Sequence, residues 1–271
     1  SHVILVSGKR GSGKCILEGT LIPLDDGSLV PIENLKDLNK KIFGLDNKLK
    51  IISLEKIEFF EREVNDIIKL KLRSGREINL TPEHPLLTIK GWIPVEELVL
   101  GSRIATPRTI NCFGNLELDD NKIKLLAYFI AEGHTRKSWV LFSNSDPKII
   151  EEFKESISFF DCNLVVSDHG ESGCFRVSNK NNRYGFKKNP VKTWLLSIGA
   201  YGKYAVEKEV PDIIFKLKKE KLALFLNRLF SCDGSIYKID SRNRWEIDYS
   251  SSSKKLIDQV QHLLLRFGIL S

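Results

Sequence analysis

The chain of 271 residues contains no methionine, and its five cysteines (15, 112, 162, 174 and 232) form no C-x-x-C pair. That spacing favours neither a zinc ribbon nor a disulfide framework, and it suits a reducing, cytoplasmic compartment. No apolar run approaches the ~20 residues of a membrane span and no secretory signal is present, so no membrane partner is expected. With no methionine anywhere, Ser1 does not read as a natural start, and the chain is expected to be an excised or engineered piece. What is present is enough apolar content, 42%, for sizeable cores in one large or two ordinary domains. The net charge of +7 permits a polyanionic partner without demanding one.

Near the start, Gly8 to Cys15 reads "GKRGSGKC", a phosphate-binding loop with one departure. The pattern G-x-x-x-x-G-K-[ST] is met through Lys14, after the apolar run Ile4-Leu5-Val6, but its last position holds a thiol. That position should ligate Mg²⁺ through a hydroxyl, and a hard cation takes thiol sulfur poorly. A nucleotide site also needs a helix to begin at the lysine. Instead "CILEGTLIPLDDGSLVPIENL" follows, with Gly19, Pro23, Gly27 and Pro31 breaking it into short strands and hairpins. A P-loop ATPase fragment therefore stays only as the alternative reading, beside an interaction domain whose repeats are structural.

The alternating pattern continues through "KIFGLD", "KIISLEKIEFFEREV" and "DIIKLKLRSGREINL", which predicts an all-β module over residues 15–108. Within it, Thr81-Pro82-Glu83-His84 places a threonine and a histidine three residues apart in a Pro-bounded loop. Alone, such a histidine reads first as a turn residue capping backbone groups.

Together, the stretch from Cys15 to Leu35 and "SGREINLTPEHPLLTIKGWIPVEELVLGSRIATPR" resemble the amino-terminal half of an intein, the self-splicing Hint fold shared with hedgehog autoprocessing domains. The resemblance implies that Cys15 is the first intein residue and that Lys14 closes the upstream flank, residues 1–14. Thiols are strong nucleophiles even when little ionised, so Cys15 would attack the Lys14 carbonyl and exchange an amide for a thioester. An amide nitrogen leaves badly unless protonated, a task for an imidazole, and His84 is the expected acid. Thr81 would hold the peptide or the tetrahedral oxyanion. The flank "HVILVSGKRGSGK" looks like part of a host P-loop ATPase, split between its lysine and its hydroxyl residue.

Over residues 109–271 one arrangement occurs twice. "LLAYFIAEGH" and "LNRLFSCDGS" are each an apolar helical run ending in a carboxylate and a helix-stopping glycine. Each is followed by a strand-like stretch, a Ser-rich turn and an amphipathic helix. Glu132 and Asp233, the two carboxylates, lie 101 residues apart. The two segments resemble the paired helices of LAGLIDADG homing endonucleases. The resemblance implies a mixed fold, in which the all-β Hint part is joined to an α/β domain of two pseudo-symmetric αββαββα-like halves. Glu132 and Asp233 would then sit side by side and hold Mg²⁺ for phosphodiester cleavage, whereas splicing needs no cofactor. Five positions before each acid the family prefers a small residue, a preference that Ala127 meets and Arg228 does not.

Residues 170–221 carry twelve Lys/Arg against five acids, interleaved with aromatics, a composition suited to phosphate contact. Arg183, Lys187, Lys188, Lys192 and Lys203 are the expected contacts to double-stranded DNA, the intein-free host gene. Lys208, in "VEKEVPDIIF", resembles the lysine placed near the metal site, with Lys203 as runner-up. A closing intein block with its terminal His-Asn is not found before "RFGILS". The expectation is thus a chain that reaches the thioester alone and needs a C-terminal intein fragment and downstream extein to splice.

Overall fold

A computed structural model describes residues 2–5, 15–55, 59–135, 139–170, 172–180 and 188–271. Two compact units result: residues 1–114 with 263–271, and residues 115–262.

The first unit is built of short antiparallel strands. In chain order they are β1 (His2–Leu5), β2 (Ile16–Leu17), β3 (Leu21–Pro23), β4 (Leu29–Pro31), β5 (Ile42–Leu45), β6 (Ile51–Leu54), β7 (Phe60–Glu63), β8 (Ile68–Lys71), β9 (Glu77–Leu80), β10 (Pro85–Thr88) and β11 (Gly91–Pro94). Five of them form one sheet in the order β7-β1-β2-β9-β8. The chain reverses at the turns read from sequence: Gly27 (φ +84°) closes β3–β4 and Gly75 (φ +83°) closes β8–β9, conformations that glycine adopts without steric cost. Leu24, Ile32, Leu35 and Ile42 are the buried centre, with Ile16, Ile22 and Val30 packed on it. Directly after Cys15 comes strand β2, so the helix a nucleotide-binding loop requires does not form there.

The returning segment joins this unit through specific contacts. Ile110 N–H donates to Leu265 O at 3.4 Å, and Phe113 meets Phe267 edge to face at 5.2 Å. Arg266, only 2% exposed, donates from Nη2 to Gly27 O at 2.7 Å in the β3–β4 turn.

The second unit runs α1 (Asp120–Glu132), β12 (Gly133–His134), β13 (Val140–Ser143), α2 (Pro147–Phe160), β14 (Leu164–Asp168), β15 (Cys174–Asn179), α3 (Pro190–Ser197), α4 (Asp212–Phe215), α5 (Lys219–Asp233), β16 (Gly234–Ile239), β17 (Arg244–Tyr249) and α6 (Lys254–Arg266), whose last residues belong to the first unit. Side-chain caps start three helices: Asp119 accepts from Asn121 N–H, Asp146 from Lys148 N–H and Asn189 from Val191 N–H. Strands β12-β13-β15-β14 form one sheet, and β16-β17 pair as a hairpin. Helix α1 is buried along Ile123, Leu125, Leu126, Ala127 and Tyr128 and packs on α5, where Leu222, Phe225 and Leu229 are fully buried. The protein is thus of mixed α and β class.

Two local features sharpen the sequence reading. Arg228 does not obstruct α1–α5 packing, because its guanidinium is drawn to Glu152 on α2, with Nε at 2.6 Å and Nη2 at 2.8 Å from the carboxylate oxygens. The helix-ending glycines are not left-handed caps either, since Gly133 (φ −76°, ψ 140°) and Gly234 (φ −92°, ψ 154°) are extended. Their requirement is space: a Cβ on Gly133 would lie 2.5 Å from Phe129 O, and one on Gly234 would meet Phe230 O. The chain passes from helix into strand without a loop, and only glycine fits against the preceding turn.

Candidate functional site

Two groups of titratable residues stand out, one in each unit. In the first, β2 and β9 meet at the pair Ile16–Leu80, which sets the next residues, Cys15 and Thr81, against one another. Both side chains are buried, Cys15 to 3% and Thr81 to 1% exposure. The Cys15 N–H donates to Thr81 Oγ1 at 3.1 Å, and the Thr81 N–H returns a bond to Cys15 O at 3.2 Å. The nitrogen in question is the one that joins Lys14 to Cys15, so Thr81 grips the very peptide group that the sequence singles out. Lys14 and the loop Gly8–Gly13 lie outside the described residues.

His84 stands at the end of the tight turn that Thr81 begins, where its N–H donates to Thr81 O at 3.0 Å. Its own carbonyl accepts from Val95 N–H at 2.9 Å, and Pro82 O from Glu96 N–H at 3.0 Å, pinning both sides of the turn to the segment after β11. Between them, Glu83 Oε1 accepts from Arg62 Nη2 of β7 at 2.5 Å. Burial works to raise the Glu83 carboxyl, but hydrogen bonds from its own N–H, from Arg62 and from Thr81 hold it below the usual carboxylate range. Arg62 is raised, first by Glu83 and further by a hydrogen bond to the Cys15 side chain. Neither Arg62 nor Glu83 was singled out from sequence, because an ion pair between a strand and a distant turn leaves no local pattern.

In the second unit, the α1–α5 pairing brings the helix-ending carboxylates Glu132 and Asp233 into mutual influence. Burial lifts the Glu132 carboxyl, a hydrogen bond donated by Asn144 Nδ2 opposes this, and the Asp233 charge lifts it further. Asp233 is lifted by burial, opposed by Lys208. Lys208 is itself pushed down by burial, while both carboxylates favour its charged form. Its Nζ donates to Ala131 O at 2.8 Å. The loop that carries it is fixed from α6 and the residue before it: Ser253 Oγ donates to Lys208 O at 2.6 Å, and Val210 N–H donates to Gln259 Oε1 at 2.8 Å. The Cys232 thiol beside them is pushed up to about 12 by burial and by the two acids. Asn144, Ser253 and Gln259 are supports that sequence reading passed over as turn and helix residues.

The donor set suits a hard divalent cation: two half-buried carboxylates, each carrying an unfavourable charge that a cation relieves. Among the described residues no third His, Cys, Asp or Glu joins them. Mg²⁺ commonly uses one or two carboxylates and completes its shell with water and phosphate, so the pair suffices.

Of the expected DNA contacts, Arg183 and Lys187 lie outside the described residues. Lys188 is exposed, Lys192 lies over the Tyr201 ring at 5.0 Å, and Lys203 is ion-paired with Glu209. Among the described residues, no helix is long and apolar enough to cross a membrane, and the cysteines are all free thiols.

Comparison with known proteins bears on the family of the chain. The LAGLIDADG-like domain family matches residues 220–271. The replicative DNA helicase DnaB of Rhodothermus marinus is 30% identical over 97% of this chain and 29% of its own length. The replication factor C small subunit of Methanocaldococcus jannaschii is 30% identical over 99% of this chain and 15% of its own. The chain therefore spans less than a third of either relative. A DnaB intein from Synechocystis sp. PCC 6803 is 31% identical across 34% of this chain and 69% of that one, with a TM-score of 0.28. On that identity and coverage the chain belongs to the inteins, and it carries a LAGLIDADG-like domain.

Proposed function

We propose that the first unit performs the opening step of protein splicing at the Lys14–Cys15 bond. The Cys15 sulfur bonds to the Lys14 carbonyl carbon, the carbon–nitrogen bond breaks, and the thiol proton finishes on the freed Cys15 amine. His84 is the acid that delivers it, and Thr81 holds the leaving nitrogen. The observation that carries this reading is the reciprocal pair of bonds between Cys15 and Thr81, in which a buried hydroxyl accepts from the scissile N–H. It is supported by the way one chain-length segment recurs within a helicase and a replication factor subunit, as a self-removing insert would. The flank 1–14 belongs on this reading to a host P-loop ATPase, and excision would return a serine or threonine to its loop. Completion of splicing calls for a C-terminal intein segment and a downstream extein.

The second unit we read as a DNA-cutting domain of two related halves, α1-β12-β13-α2-β14-β15-α3 and the run that begins at α5. The paired glycines, extended at both helix ends and barred from a Cβ by the equivalent phenylalanine carbonyls, support the repeat. A divalent cation such as Mg²⁺, held by Glu132 and Asp233, would supply charge neutralisation and a polarised water. Lys208 then faces the developing phosphate charge, and Arg183, Lys187, Lys188, Lys192 and Lys203 contact the backbone of the intein-free host gene.

Hydroxylamine treatment of the intact chain tests the splicing reading. Cleavage after Lys14, seen by mass and abolished in Cys15→Ala, is the expected result. Equal cleavage in Cys15→Ala removes Cys15 as nucleophile. For the nuclease, Mg²⁺-dependent nicking of the host gene that persists in Asp233→Asn overturns the assigned role of that residue.

A further inference from the structure

Four contacts close a ring around Cys15. Its N–H donates to Thr81 Oγ1 at 3.1 Å, and the Thr81 hydroxyl donates in turn to the Glu83 carboxylate. Glu83 Oε1 accepts from Arg62 Nη2 at 2.5 Å, and the Arg62 guanidinium donates to the Cys15 side chain. A hydroxyl has one proton, and here Glu83 takes it, so only lone pairs of Thr81 face the Cys15 nitrogen. The ring thus grips both atoms of Cys15 that change bonding, the nitrogen through Thr81 and the sulfur through Arg62.

We propose that Arg62 and Glu83 are positioning residues for the acyl shift, acting as a charged clamp on the two reacting atoms of Cys15. This rests on the reading of Cys15 as the splicing nucleophile. When the thiol proton leaves, the sulfur acquires negative charge beside a guanidinium that never deprotonates. When the carbon–nitrogen bond breaks, the amine becomes a stronger donor to a hydroxyl polarised by a carboxylate. The shift is an isomerisation: one carbon–sulfur bond replaces one carbon–nitrogen bond, the proton moves from sulfur to nitrogen, and no co-reactant is required. Stability does not account for the pair. The side chains are 45% and 38% exposed, and ion pairs so exposed contribute little to folding. Arg62 also lies on β7, directly beside β1 in the register Val3–Arg62, so the clamp joins the sheet holding the upstream flank to the Thr81–His84 turn.

The test uses the full chain and two readouts, peptide-resolved alkylation of Cys15 by iodoacetamide and hydroxylamine cleavage after Lys14, each followed against pH. In Arg62→Gln, alkylation at neutral pH is expected to slow about tenfold, as for loss of a charge-assisted hydrogen bond. Glu83→Gln should have the opposite effect on alkylation, because the guanidinium loses its competing carboxylate, yet it should slow cleavage by loosening Thr81. Arg62→Lys keeps the charge without the fork and falls between, serving also as the probe if the glutamine variant does not fold. Alkylation that keeps its wild-type rate in Arg62→Gln or Arg62→Lys overturns the clamp. Alkylation does not require acyl transfer, so it decides the clamp even if the wild-type chain resists hydroxylamine, a result that would count against the splicing reading alone.

Discussion

Glu152 ties three helices of the second unit together, and replacing it by glutamine should show how much that tie contributes. It lies on α2, accepts two bonds from Arg228 of α5, pairs with Lys124 Nζ of α1 at 2.8 Å and accepts from the Tyr128 hydroxyl of α1. Burial opposes its charge, but Arg228, then Lys124 and Tyr128, bring the carboxyl down to about 2 from the usual 4.5. At ~1.4 kcal/mol per pH unit, that difference sets a ceiling of roughly 3 kcal/mol. With the side chain 23% exposed, screening by solvent reduces the expected loss in Glu152→Gln to about 2 kcal/mol. A unit of this size loses ~2–4 °C in Tm per kcal/mol, so its transition should fall by about 4–8 °C at pH 7. The pH dependence is the sharper signature. The folded carboxyl titrates below the unfolded one, so its contribution is complete above about pH 4.5 and fades as the pH falls towards 2. Scanning calorimetry of wild type and variant between pH 2.5 and 7 should show the gap closing on the acid side. A gap that stays constant across that range refutes the electrostatic account.

Four further outcomes follow from the same geometry. Gly133→Ala places a Cβ 2.5 Å from Phe129 O; relief of that clash should cost ~1–3 kcal/mol and abolish nicking, with Gly234→Ala behaving alike in a paired melting and nicking assay. Glu132→Gln should raise the Tm at neutral pH, because the folded carboxyl is lifted above its unfolded value and its ionised form is disfavoured in the fold. That gain vanishes on acidification, and Mg²⁺ should stabilise wild type but not the variant. Arg266→Met strands the buried Gly27 carbonyl and should cost ~1–3 kcal/mol by urea unfolding of the first unit. Thr81→Ser keeps an acceptor for the Cys15 N–H and should retain cleavage after Lys14, whereas Thr81→Val should lose most of it.

Much of this was legible because the signals were local. Asp25-Asp26-Gly27 and Ser74-Gly75 mark their turns through backbone conformations that glycine favours, and the alternation between them marks strands. The helices bearing Glu132 and Asp233 show themselves by apolar periodicity and a closing glycine, although the reason for that glycine did not. A left-handed cap and a helix that runs straight into a strand demand the same residue, and only coordinates tell the two apart. Arg228 looked like a misfit because its partner Glu152 is 76 residues away. Arg62 was invisible for a like reason, since its partner Glu83 is 21 residues away on a separate turn. The return of residues 263–271 to the first unit is also tertiary, carried by a helix whose sequence reads as ordinary amphipathic.

That return bears on how such a protein changes over evolutionary time. Residues 109 and 110 are hydrogen-bonded to residues 266 and 265, and Phe113 touches Phe267, so the chain leaves the first unit and re-enters it at nearly the same point. Everything between is a detour with its ends already fastened. Lengthening or shortening a detour alters closure entropy only logarithmically, by ~0.6 kcal/mol for each doubling. Lineages could therefore acquire, erode or discard the intervening unit almost independently of the scaffold that hosts it, leaving selection on cutting and selection on self-removal free to follow separate courses.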